Sequence, residues 1–95
     1  MTTQRSPASG TTRVQQGSQP HFAGVRVGVM RVGEHHGHRK ARLWLNGAAA
    51  HLRVDLTEGE SQDLFGHGTL TLDAVHLPSP GRRGEVTLRF VAADG

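Results

Sequence analysis

The chain is 95 residues long, enough for one domain, and contains no cysteine. That excludes disulfide staples, thiolate metal knots and thiol catalysis. The formal net charge is +3, and protonating all seven histidines would raise it from +3 to +10, so charge is the property that mild acid changes most.

The charge is unevenly spread. Residues 1–50 carry Arg5, Arg13, Arg26, Arg31, Arg39, Lys40 and Arg42 against Glu34 alone, whereas residues 51–95 carry Arg53, Arg82, Arg83 and Arg89 against seven acids. No apolar run approaches membrane-spanning length and no N-terminal stretch has the apolar core of a secretory signal. With the missing cysteines, this leads to the expectation of a cytoplasmic protein with no membrane contact.

In chain order, residues 1–20 hold only Val14 and Met1 as large apolar groups. That is too little to offset a backbone ordering cost of roughly 1–2 kcal/mol per residue, so a flexible tail is expected there, followed by a single small β-domain over 21–95. From His21 onward the apolar period is two. In "VRVGVMRV", Val25, Val27 and Val29 share one face, with Arg26, Gly28 and Met30 opposite. An unbroken pattern would put Arg31 on the valine side.

Next comes "GEHHGHRKAR", residues 33–42, expected to form a hairpin loop of about seven residues. His35, His36 and His38 are the candidate metal ligands there, because imidazole suits zinc, copper and nickel. Adjacent histidines in an extended segment point to opposite sides, so the loop would have to turn between His35 and His36 for them to converge.

"ARLWL" puts Leu43 and Leu45 on one face and Arg42 and Trp44 on the other. "NG" at Asn46–Gly47 predicts a two-residue hairpin turn of type I′. "HLRVDL" alternates Leu52, Val54 and Leu56 inward with His51, Arg53 and Asp55 outward, and "TEGES" then reads as a solvated turn. In "GTLTLDAVHL" the apolar phase switches between Leu72 and Val75, which predicts a β-bulge near Asp73–Ala74. "PSPGRRG" cannot be a central strand, and "EVTLRF" closes the pattern with Val86, Leu88 and Phe90 inside.

The fold class expected is all-β: a small antiparallel β-sandwich or partly open barrel of about six strands. No nucleophile elbow, phosphate-cradling glycine loop or zinc-protease helix motif occurs. Together with the shortage of bulky apolar groups, this favours a non-catalytic protein that needs no cofactor. A domain this small is marginally stable alone. The leading expectation is therefore protein–protein interaction or self-assembly through a sheet edge or face. Nucleic-acid binding through the basic 33–42 loop and histidine-loop metal binding are the alternatives. The partner-binding candidates are Arg26, Arg39, Lys40, Arg42 and Trp44, since clustered cations suit phosphates or carboxylates and an exposed indole suits stacking.

From Val54 to Phe90 the chain resembles short, uncharacterised all-β proteins of high-GC bacteria. The shared grammar is the Gly59–Glu60 turn, the Phe65–Gly66 apolar–glycine step, a strand ending in Val75, a variable loop and the closing "VTL" of residues 86–88. That resemblance implies a fold and no activity.

Overall fold

A computed structural model describes residues 10–93. The strands are β1 (Gly10–Gln15), β2 (His21–Phe22), β3 (Val25–His35), β4 (His38–Asn46), β5 (His51–Thr57), β6 (Ser61–Asp63), β7 (Gly68–His76) and β8 (Glu85–Ala92). They form two four-stranded antiparallel sheets, ordered β1-β8-β7-β6 and β2-β3-β4-β5. Every strand neighbours its sequence neighbours except at two corners, β1 to β2 and β5 to β6, where the chain changes sheet. The order is that of an up-and-down barrel pressed flat and opened along two seams, so the architecture is a sandwich rather than a closed barrel.

The alternation read from the sequence builds the core. Val25, Val27 and Val29 of β3 and Leu43 and Leu45 of β4 face Leu70, Leu72 and Val75 of β7 and Val86, Leu88 and Phe90 of β8, all at most 1% exposed. Burial of such side chains stabilises the fold by about 1.5–3 kcal/mol each. β5 follows the expected pattern only in part. Leu56 is buried and Val54 half-buried, but Leu52 is 39% exposed because it lies at the open end of an edge strand.

The expected bulge is present: the β7–β8 register shifts between Leu72 and Ala74, leaving Asp73 unpaired. A second shift, between Val29 and Arg31, sets Met30 apart in β3. It brings Val32 to the inside, 7% exposed, and turns Arg31 to solvent, reversing the placement expected for Arg31.

Several turn and tail expectations are corrected. The expected tail through residue 20 meets a strand: β1 pairs with β8 from Gly10↔Phe90 to Gln15↔Glu85, with Val14 buried. A single well-placed valine and a free edge on β8 suffice to order a polar segment. Residues 1–9 of the expected tail lie outside the described residues. The seven-residue loop is instead a two-residue turn, since β3 and β4 stay paired out to His35↔His38 and only His36 (φ 53°) and Gly37 (φ 79°) remain between them. Positive φ at both positions is the type I′ geometry that matches strand twist. Conversely, Asn46–Gly47 makes no such turn. Asn46 pairs with His51, and the connection is closed by the Gly47 amide donating to the Ala50 carbonyl at 2.8 Å. A Cβ at 47 would sit 3.1 Å from the Phe65 ring, a tight contact that ring would have to relieve by a few tenths of an ångström.

Both corners are stitched by backbone hydrogen bonds. At the first, the Gly17 amide donates to the Val29 carbonyl (2.8 Å) and the Val27 amide to the Pro20 carbonyl (2.8 Å), so residues 17–20 cover the edge of β3. At the second, the "TEGES" turn covers the part of β7 that short β6 leaves open. The Leu72 amide donates to the Glu60 carbonyl (2.9 Å), and the Val75 amide, just past the bulge, donates to Glu58 Oε2 (2.7 Å). An uncovered β7 edge would invite pairing with another chain, and this turn removes that liability.

Candidate functional site

The outer face of the β2–β5 sheet gathers most of the sequence candidates. Strand register places them in rows across β3, β4 and β5: Arg26–Asn46–His51, then Gly28–Trp44–Arg53, then Arg31–Arg42–Asp55, then Gly33–Lys40–Thr57, and finally His35–His38. One face thus carries Arg26, Arg31, Lys40, Arg42 and Arg53 against Asp55 alone. The outer face of the other sheet is different. There Arg13 faces Glu85 at 2.7 Å and Arg89 faces Asp73 at 3.1 Å. Both strand arginines on that side, Arg13 and Arg89, meet a carboxylate, and the positions between include Thr69, Thr87 and the exposed Val91. The charge asymmetry of the sequence has become an asymmetry between two faces.

On the basic face, Arg42 grips Asp55 with two hydrogen bonds, Nε–Oδ1 at 2.8 Å and Nη2–Oδ2 at 3.2 Å. The Arg42 hydrogen bonds hold the Asp55 carboxyl below the usual carboxylate range, and the charges of Arg42, Lys40 and Arg53 act in the same direction. This pair aligns the face more than it stabilises the fold, since exposed ion pairs contribute little. Among the described residues, Arg26, Arg31, Lys40 and Arg53 form no ion pair with a carboxylate.

Trp44 sits near the centre of this face, half-buried. Its ring stacks on His51, with centroids 5.3 Å apart and planes 23° apart, and the Arg53 guanidinium carbon lies 5.7 Å from the ring. Because its cross-strand neighbour is Gly28, the space beside the indole is not filled from β3. An open groove of about 1010 Å³ runs there, bordered by Trp44, Met30, Arg53, Arg83 and the polar 16–19 segment. A second depression of about 360 Å³ lies further along β3 and β4, lined by Arg31, Glu34, His35, Lys40, Arg42 and, from β5, Asp55.

Of the predicted partner-binding residues, Arg26, Lys40, Arg42 and Trp44 therefore share one surface. Arg39 does not. It follows the inward phase of Ala41 and Leu43, and its Nη1 donates to the Val75 carbonyl on the opposite sheet at 3.2 Å. With Glu58 on the Val75 amide, Arg39 holds the bulged edge of β7. Arg53, Met30 and Gly28 were not among the candidates, and Arg31, which belongs to the nucleic-acid alternative, was expected on the valine face rather than on this one. Alternation in "HLRVDL" already turned Arg53 outward, and the three-residue step from Val29 to Val32 was the signal for Arg31.

The histidine candidates lie at the far end of the β3–β4 ribbon. His35 and His38 are cross-strand partners, and the His36 ring packs edge-on against His35 at 4.0 Å. No group of three or more His, Asp or Glu side chains among the described residues is disposed to hold a metal ion. No helix among them is long and apolar enough to cross a membrane.

No protein-family model matches the chain, and no curated protein or solved structure matches it either.

Proposed function

We propose that this is a non-catalytic binding domain that docks an anionic partner on the outer face of its β2–β5 sheet. One observation carries the reading: five cations and a single carboxylate share that face, while the arginines of the opposite face are each matched to a carboxylate. Unmatched cations over a groove focus potential and steer an oppositely charged surface into place. The cysteine-free sequence supports a cytoplasmic setting for such a partner.

Retention on immobilised heparin, a generic polyanion, tests the reading. Replacing Arg31 and Lys40 by Gln should lower the eluting salt clearly, whereas replacing Arg13 and Arg89 by Gln, the same loss of charge on the other face, should lower it much less. Equal shifts for the two double variants would show that net charge, not this face, governs binding.

A second reading, self-assembly, is favoured by β5, a seven-residue edge strand with no proline or bulge and with Leu52 partly exposed. Sedimentation across a wide concentration range would show a monomer–oligomer equilibrium if β5 pairs between copies. A strict monomer would exclude it.

A further inference from the structure

Resting on the reading of the basic face as an anion-docking surface, we propose that its partner is single-stranded nucleic acid, with one base received in the groove beside Trp44 and phosphates held by the flanking cations.

Three features of the face select this ligand over other anions. The first is spacing. The outward rows of β3 and β4 repeat every second residue, about 6.8 Å apart, over a strip of roughly 27 Å from Asn46 to His38. Arg26, then Arg53, then Arg31 with Arg42, then Lys40 take successive rows. A linear polymer with one charge per repeat, running along the strands and shifting sideways between β3, β4 and β5, would meet a cation at each of the first four rows, though not at His35–His38, and the repeat is close to the phosphate-to-phosphate distance of an extended strand.

The second feature is what lies between the cations. A surface for carboxylates or phosphates alone needs no apolar centre. Here Gly28, Trp44 and Met30 line the groove, with Gln19 Cγ 3.5 Å from the position a Gly28 Cβ would take, and Met30 is 45% exposed at a bulge. Such a slot takes a flat, weakly polar ring, and base–aromatic stacking is sequence-tolerant because every base has a π-face. The third is the rim: Gln16, Ser18 and Gln19 border the groove on the β1–β2 crossing segment. Their side chains offer hydrogen-bond donors and acceptors to base edges, and Arg53 and Arg83 border the same space.

Trp44 is the only tryptophan and the chain has no tyrosine, so its emission reports on this groove alone. The test titrates the full chain with three probes of matched charge: a short oligothymidylate, inorganic polyphosphate and polyglutamate. Anisotropy of labelled probes gives affinity and Trp44 emission gives stacking. The proposal expects oligothymidylate to bind best and to quench Trp44. The log–log salt dependence should be about −3, for four phosphates at about 0.7 each. R31Q/K40Q should make that slope shallower by about 1.4 and leave the quench in place. Trp44→Ala should weaken oligothymidylate binding about 5- to 150-fold and leave polyphosphate binding unchanged. The quench in the unaltered chain keeps the test standing if that variant fails to fold.

If polyphosphate and oligothymidylate bind equally and neither quenches, the base groove is refuted while the anion-docking face survives. Tighter binding of polyglutamate would overturn the proposal in favour of an acidic protein. If no probe binds at low salt, both the proposal and the reading beneath it fall.

Discussion

Gly68→Ala should be among the most damaging single substitutions in this protein, although it adds only one methyl group. Gly68 is buried where β7 begins, paired with Ala92 of β8. A Cβ there would lie 2.5 Å from the Val91 carbonyl oxygen and 2.6 Å from two carbons of the Phe90 ring. Ordinary contacts are about 3.3–3.6 Å to oxygen and 3.5–4.0 Å between carbons, so the overlap is close to 1 Å on both sides. The Phe90 ring cannot give way cheaply, being 1% exposed in the core, and Gly68 cannot shift away freely, since its carbonyl accepts from the Leu64 amide at 2.8 Å. The cost should reach the upper end of the overpacking range, about 3 kcal/mol. Total stability for 95 residues is roughly 5–14 kcal/mol. At about 4–8 °C per kcal/mol for a domain of this size, Tm should fall by about 12–24 °C. Gly28→Ala is the control. Its Cβ would meet nothing nearer than Gln19 Cγ at 3.5 Å, so Tm should hold or rise by a few degrees as unfolded-chain entropy is reduced. Thermal unfolding followed by far-UV circular dichroism reads both. A Gly68→Ala protein melting within about 4 °C of the parent would refute the reasoning.

Val14→Ala should lower stability by about 1.5 kcal/mol, from two buried carbons at about 0.8 kcal/mol each; Arg13→Ala, with a side chain 63% exposed, should change it by no more than about 0.5 kcal/mol. Equal, negligible effects in urea unfolding would mean that β1 is not part of the folded unit. His36→Asn should stabilise the β3–β4 hairpin by about 0.5–1 kcal/mol, because asparagine tolerates positive φ better than histidine and Asn–Gly suits a type I′ turn; a lower Tm would contradict that turn geometry. Arg42 and Arg13 hold Asp55 and Glu85 below their ordinary carboxyl values. These pairs therefore contribute stability above the ordinary values, and it is lost as pH falls through the lowered ones. A carboxyl NMR titration should find both groups titrating low, with Asp55 moving back up in Arg42→Gln. An unchanged Asp55 midpoint would show that the Arg42 contact does not persist in solution.

Much of the fold was legible because alternation is a strict geometric signal. The core valines and leucines of β3, β4, β7 and β8 and the Asp73 bulge could all be read from which residues are apolar. The same three-residue step from Val29 to Val32 carried the Met30 bulge, but with only one apolar residue beyond it the shift was easy to miss. β1 was hidden because "GTTRVQ" is polar on its own and becomes a strand only against the open edge of β8. Turn chemistry misled at both hairpins. His36–Gly37 adopts the geometry that asparagine advertises more strongly, and Asn46–Gly47 is drawn into a longer connection that accommodates Phe65. For the site, outward phase sufficed for Arg26, Arg42 and Trp44. It did not suffice for Arg39, whose long side chain crosses to Val75 for reasons set by the other sheet. The groove itself was illegible, because it exists only where the β1–β2 crossing passes beside Gly28.

The central claim is that the basic face, and not an edge or the histidine turn, is the surface this protein works with. Amide and indole NMR shifts during titration with a short oligothymidylate test it most directly. The account predicts that the Trp44 indole proton and the amides of Gly28, Met30, Arg42 and Arg53 move together and saturate at one concentration, while β1, β7 and β8 stay still. Shifts concentrated on β5's free edge, on His35–His38 alone, or on the threonine-rich outer face would contradict it.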